Sequence, residues 1–170
     1  MTAGVTVGLL VPLATPVAVV LDVVLWALWS IAVGWWMARR PWRRLTGRAW
    51  LLRLRPFERG GGWYERRLRV RAWKDRLPEA GTWFGDLSKQ RLPGRGDGGL
   101  ARYRAECVRA ETTHWLALAA VPVLAVWSPW YVVIGLVVGG LAFNLPCIVV
   151  PRYNRARVDD LLAGGQGRRA

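Results

Sequence analysis

Two long stretches of this sequence are almost free of charge, and both run into arginine. Residues 1–38 contain one formally charged side chain, Asp22, and residues 115–151 contain none. The first stretch closes on Ala38-Arg39-Arg40-Pro41-Trp42-Arg43-Arg44, the second on Pro151-Arg152. A bilayer core takes about 20 consecutive apolar helical residues. Pro16 to Met37 supplies that length, and so do residues 130–150. Long uncharged blocks with basic flanks mark a chain that lives in a membrane.

The charge sits between and after the blocks. Residues 39–109 hold 20 Lys and Arg against seven Asp and Glu, within an overall formal charge of +14. In a soluble protein that excess would point to nucleic acid. Here the cations interleave with Trp50, Leu51, Leu52, Leu54, Phe57, Trp63, Tyr64, Leu68, Val70 and Trp73. That is the pattern of amphipathic pieces on an anionic bilayer surface, and no recognition motif accompanies it, so no nucleic-acid partner is expected. Two distant cysteines, Cys107 and Cys147, imply no disulfide framework. With one histidine they cannot build a zinc centre, so neither metal nor cofactor is expected. Phosphate-cradling and nucleophile-elbow motifs are absent.

The expected fold is an all-α integral membrane protein with about three transmembrane helices. Residues 1–38 form an N-terminal anchor, read as one uncleaved span, with two spans the alternative. Residues 39–105 form a basic cytoplasmic segment, interrupted at Gly60-Gly61-Gly62 and by a loop at Leu92–Gly99. Residues 106–170 form a tight helical hairpin with a basic tail. The positive-inside rule puts the arginine clusters and the C-terminus in the cytoplasm and the uncharged Ser128-Pro129 turn outside.

Antiparallel arms match in depth, so residues equally far from Ser128-Pro129 lie level. The second helix is then expected to start near Glu106 or Cys107, and His114 falls level with Phe143 and Asn144. At 1.5 Å per residue His114 lies roughly 22 Å from the outer turn, near the cytoplasmic edge of the hydrocarbon. Glu111 and His114 share a helix face, as do Asn144, Arg152 and Arg155. A polar group at that depth points to function, here a general base beside an anion clamp. Blander roles stand beside it: topology anchors for Arg152, Arg155 and Arg157, a surface ion pair for Glu106 with Arg109, a structural His114.

The same residues carry a resemblance. Phe57–Gly81 (FERGGGWYERRLRVRAWKDRLPEAG), Glu106–Trp115 (ECVRAETTHW) and Asn144–Leu162 (NLPCIVVPRYNRARVDDLL) are similar to the glycosyl-4,4'-diaponeurosporenoate acyltransferases of bacterial carotenoid biosynthesis. The sequence departs from that pattern at Pro151 and Ala156. The resemblance implies transfer of a fatty acyl chain onto the glucose C6 hydroxyl of a glycosylated carotenoid carboxylate. On that footing His114 is expected to take the hydroxyl proton, oriented by Glu111, while Asn144 stabilises the oxyanion. Arg152, Arg155, Arg71 and Lys74 would hold the phosphates of an activated donor such as an acyl thioester. Tyr153, Asn154, Arg157, Trp73, Glu106 and Arg109 complete the expected binding set. The implied partners are membrane lipid, a lipophilic glycosylated acceptor, a fatty acyl donor and other carotenoid-pathway enzymes, at the bacterial cytoplasmic membrane. The rival readings are an acyltransferase for another membrane glycolipid and a non-enzymatic membrane scaffold.

Overall fold

A computed structural model describes residues 13–77 and 99–166, with side chains to residue 164. The parts of the first apolar block before Leu13 and of the expected loop at residues 92–98 lie outside it. The regular structure among the described residues is all helical, with no strand among them. Helix α1 spans Thr15–Ala38, opened by Pro16, whose fixed φ and missing N–H suit a first helical turn. Two short helices follow the basic linker, α2 at Gly62–Leu68 and α3 at Val70–Trp73. Helix α4 covers Gly99–Leu118, α5 is one turn at Val121–Leu124, and α6 runs unbroken through Trp130–Gln166.

Among the described residues, α1 and α6 are the two helices long and apolar enough to cross a membrane. Burial separates them from soluble core helices, since only 17% of each apolar window is buried. Val20, Val138 and Phe143 are 64%, 61% and 81% exposed, an arrangement water would penalise and lipid rewards. At the basic end of α1, Arg39 lies over the Trp35 ring at 3.4 Å and Arg40 over Trp36 at 4.0 Å. Those stacks suit the boundary where aromatic rings and cations anchor a span.

The seam between α4 and α6 is the spine of the molecule, and α1 lies against α4. Two buried clusters hold the basic end. Tyr103 and Cys107 of α4 meet Val158 of α6, while Tyr64 and Val70 pack on Val150 and Tyr153. Two expectations about α4 change. It begins by Gly99, seven residues before Glu106, because Leu100, Ala101, Tyr103 and Ala105 extend a helical face among the arginines. It also stops at Leu118, since Pro122 has no N–H for the Leu118 carbonyl. The indole N–H groups of Trp29 and Trp26 donate to the carbonyls of Leu116 and Ala117 at this break, at 2.8 and 2.9 Å.

Asp22 is fully buried at the far end, where it accepts from Trp127 Nε1 at 2.8 Å and Ser128 Oγ at 2.6 Å. The turn is thereby tied to α1. The glycine run is a packed junction rather than a mere interruption. Gly61 sits at φ +75°, where an added Cβ would lie 2.9 Å from the Tyr153 ring. A side chain there would hold the segment off α6.

Candidate functional site

His114 and Asn144 meet across the α4–α6 seam, with Nδ1 and Oδ1 2.9 Å apart. Depth matching across the turn had already set these two side chains level. The Asn144 amide nitrogen donates to the Gly140 carbonyl at 2.9 Å, which turns its oxygen toward the imidazole. Nδ1 is then the N–H donor, and a neutral ring carries its basic lone pair on Nε2. His114 is half-buried and Asn144 buried, at the level where the apolar part of α6 gives way to arginine.

One helical turn toward the basic end lies Glu111, fully buried. Its oxygens face Arg152 Nη1 at 2.5 Å and Arg155 Nη1 at 3.1 Å. Glu111 is thus tied to the facing helix as well as sharing a face with His114. Two cations on the facing helix hold the carboxylate, and Asn144 is what meets Nδ1. One of the two N–H donors of Asn144 is turned to Gly140.

Arg152 uses all five of its N–H donors. Nε and Nη2 reach the two oxygens of Glu58 at 2.9 Å each, and Nη1 reaches Glu111. The carbonyls of Leu51 and Arg53 take the remaining two, at 2.9 and 3.1 Å. Glu58 also accepts from the Tyr64 hydroxyl and, at 2.5 Å, from the Arg55 N–H. Burial works against its charge, but these bonds outweigh it and hold the Glu58 carboxyl below the ordinary carboxylate value. Burial and the Glu58 bond push the Tyr64 phenol up. Arg152 is thus a bracket that fastens the basic linker to α6.

Arg155 is different. It is 1% exposed, donates through Nη2 to the Leu52 carbonyl and leaves Nε without a hydrogen bond. It lines a cleft of about 960 Å³ on the basic side of the network. Arg43, Arg48, Arg53, Arg59 and Arg104 share that wall with Asp159 and Asp160. None of those five arginines stands out in the sequence as a site residue, because alternating Arg and Leu reads alike on lipid and on protein.

The remaining expected residues serve the frame. Arg109 pairs with Glu106 at 2.7 Å, both buried, and donates to the carbonyls of Met37 and Arg40, closing the end of α1. The buried Tyr153 hydroxyl takes Arg71 Nε at 3.0 Å and Arg157 Nη1 at 3.4 Å. Trp73 packs beside Tyr153 and donates to the Leu68 carbonyl at 2.8 Å. Lys74 pairs with neighbouring Asp75 at 2.7 Å. Asn154 is buried with its amide nitrogen unpartnered.

A family model described as glycosyl-4,4'-diaponeurosporenoate acyltransferase matches residues 47–164, more than half of the chain and all of the seam. The chain belongs to that family. The glycosyl-4,4'-diaponeurosporenoate acyltransferase of Staphylococcus haemolyticus (strain JCSC1435) is 26% identical over 135 residues, which cover 79% of this chain and 78% of that one. No solved structure matches. As a member of the glycosyl-4,4'-diaponeurosporenoate acyltransferase family, the protein is an acyltransferase of carotenoid biosynthesis. The family match starts at Gly47, so α1 falls outside it, and the seam, the bracket and most of the cleft wall fall inside.

Proposed function

We propose that the protein esterifies a fatty acyl chain onto the glucose C6 hydroxyl of a glycosylated carotenoid carboxylate, with His114 as general base. The observation that carries this is the His114–Asn144 pair, set at the depth where a lipophilic acceptor presents its sugar to the basic side. Nε2 takes the proton as the hydroxyl oxygen attacks the acyl carbonyl of an activated donor. The new C–O ester bond forms, the bond to the leaving group breaks, and the imidazolium returns its proton to that group. The Glu111–Arg152–Arg155 network sets the spacing of the two helices around the reacting carbon. The spans cross the cytoplasmic membrane with the arginine network inside and the Ser128 turn outside.

Mass spectrometry of pigments from cells with and without the gene tests this. An acylated glycosyl-carotenoid that vanishes on deletion, while its unacylated form accumulates, supports both reaction and acceptor. Loss of a different acylated glycolipid moves the acceptor. An unchanged set of acylated lipids in expressing cells sinks the reading.

A further inference from the structure

We infer that the arginine cleft beside Arg155 is the binding site for the phosphate end of a 4'-phosphopantetheine-linked acyl thioester. This rests on the acyl-transfer reading above and identifies the chemical class of its donor. Six arginines line the cleft against two aspartates. Arg104 is neutralised by Asp159 at 2.5 Å, and Arg155 faces Glu111. Arg48, Arg53 and Arg59 have exposed side chains and no carboxylate partner among the described residues. The buried Nε of Arg155, without a hydrogen bond, is a donor held at the inner wall. Gly47 at φ +68° lets the linker pass so close that a Cβ would stand 2.9 Å from Arg155 Nη1. Unpaired cations around a concave space of ligand size suit phosphate groups.

The separation from His114 selects the donor. Asn144 and Arg155 lie eleven residues apart on one face of α6, about 16 Å along the axis. His114 and Arg104 are ten residues apart on α4, about 15 Å. A phospholipid or an acyl phosphate has only a handful of bonds between phosphorus and acyl carbon. With its phosphate in the cleft, its carbonyl would stop well short of His114. The pantetheine arm has a reach comparable to that gap. It is mostly neutral. Phosphate in the cleft and thioester at His114 are met together by this class alone of the three.

The test uses the full chain in phosphatidylcholine nanodiscs, where calorimetry reads binding without any acyl transfer. Desulfo-coenzyme A is expected to bind, and phosphate-free pantetheine to bind far more weakly. Arg48→Gln/Arg53→Gln should weaken desulfo-coenzyme A about tenfold or more, whereas Arg66→Gln/Arg67→Gln, which removes equal charge from α2, should leave it unchanged. In turnover, the cleft pair should raise KM for acyl-coenzyme A and leave KM for acyl-N-acetylcysteamine, which has no phosphate. Equal binding of pantetheine and desulfo-coenzyme A, or equal effects of the two variant pairs, overturns the assignment. So does displacement of desulfo-coenzyme A by phosphatidylglycerol in the disc, which would make the occupant a lipid headgroup. If 4'-phosphopantetheine alone matches desulfo-coenzyme A, the source is a carrier protein as readily as coenzyme A, and the assignment stands. If desulfo-coenzyme A binds as expected but no acceptor is acylated, the acyl-transfer reading fails on its own.

Discussion

Asn144 holds Nδ1 of His114 at 2.9 Å while its own amide nitrogen is held by the carbonyl one turn back, at Gly140. The asparagine therefore fixes a tautomer as well as a position. His114→Ala should lower kcat by about 100-fold or more, the ordinary contribution of a general base. Asn144→Ala should lower it less, since the imidazole survives with its orientation loosened. Membrane insertion of both variants should match wild type, checked by membrane fractionation. Near-normal turnover by His114→Ala would remove the imidazole from the mechanism.

Glu111 makes a different kind of prediction. One buried guanidinium group, of Arg155, and one half-buried, of Arg152, face its carboxylate. Removing one partner of a buried ion pair costs about 3–5 kcal/mol. Glu111→Gln should thus lower the melting temperature in detergent sharply, while kcat per folded molecule falls much less than in His114→Ala. If stability holds and kcat collapses, Glu111 orients the imidazole after all.

The Glu58 bracket carries a pH signature. Its carboxyl titrates below its ordinary value near 4.5 in the folded protein. The stabilisation is therefore complete above that value and is lost as pH falls through the lowered one. Thermal unfolding followed from pH 7 to pH 3 should show an acid limb. Glu58→Gln should flatten it, and an identical limb in the variant would contradict the bracket.

Gly61→Ala should destabilise by about 1–3 kcal/mol, from the positive φ and the Tyr153 ring that the methyl would strike. Gly139→Ala is the control, because its added Cβ has no neighbour within 4 Å. Comparable melting temperatures for the two variants would show that the linker does not seat on α6 as described.

Much of the frame was legible in the sequence because it rests on local signals. The apolar blocks define α1 and the start of α6, and counting outward from Ser128-Pro129 sets His114 level with Asn144. What stayed hidden depends on residues far apart in the chain. Asp22 was visible as an isolated charge, yet its partners Trp127 and Ser128 lie more than 100 positions away. Nothing local in the linker shows that Glu58 would take Arg152 across 94 positions. The fate of Glu111 turned on which way one carboxylate leans. Spacing of three along a helix allows it to touch His114, and nothing local shows that two cations on the facing helix also reach it.

Helix α6 runs without interruption from Trp130 to Gln166 through both Pro146 and Pro151, carrying Asn144 and Arg155 on one rod. A single residue inserted between Asn144 and Arg152 would turn everything beyond it by about 100° and shift it by about 1.5 Å. Arg152 would leave Glu58, Arg155 would leave the cleft, and the linker would lose its seat at once. Surface loops elsewhere can change length freely, but this stretch is a gauge. Its lipid-facing side chains can change, but the count of residues between Asn144 and Arg155 cannot.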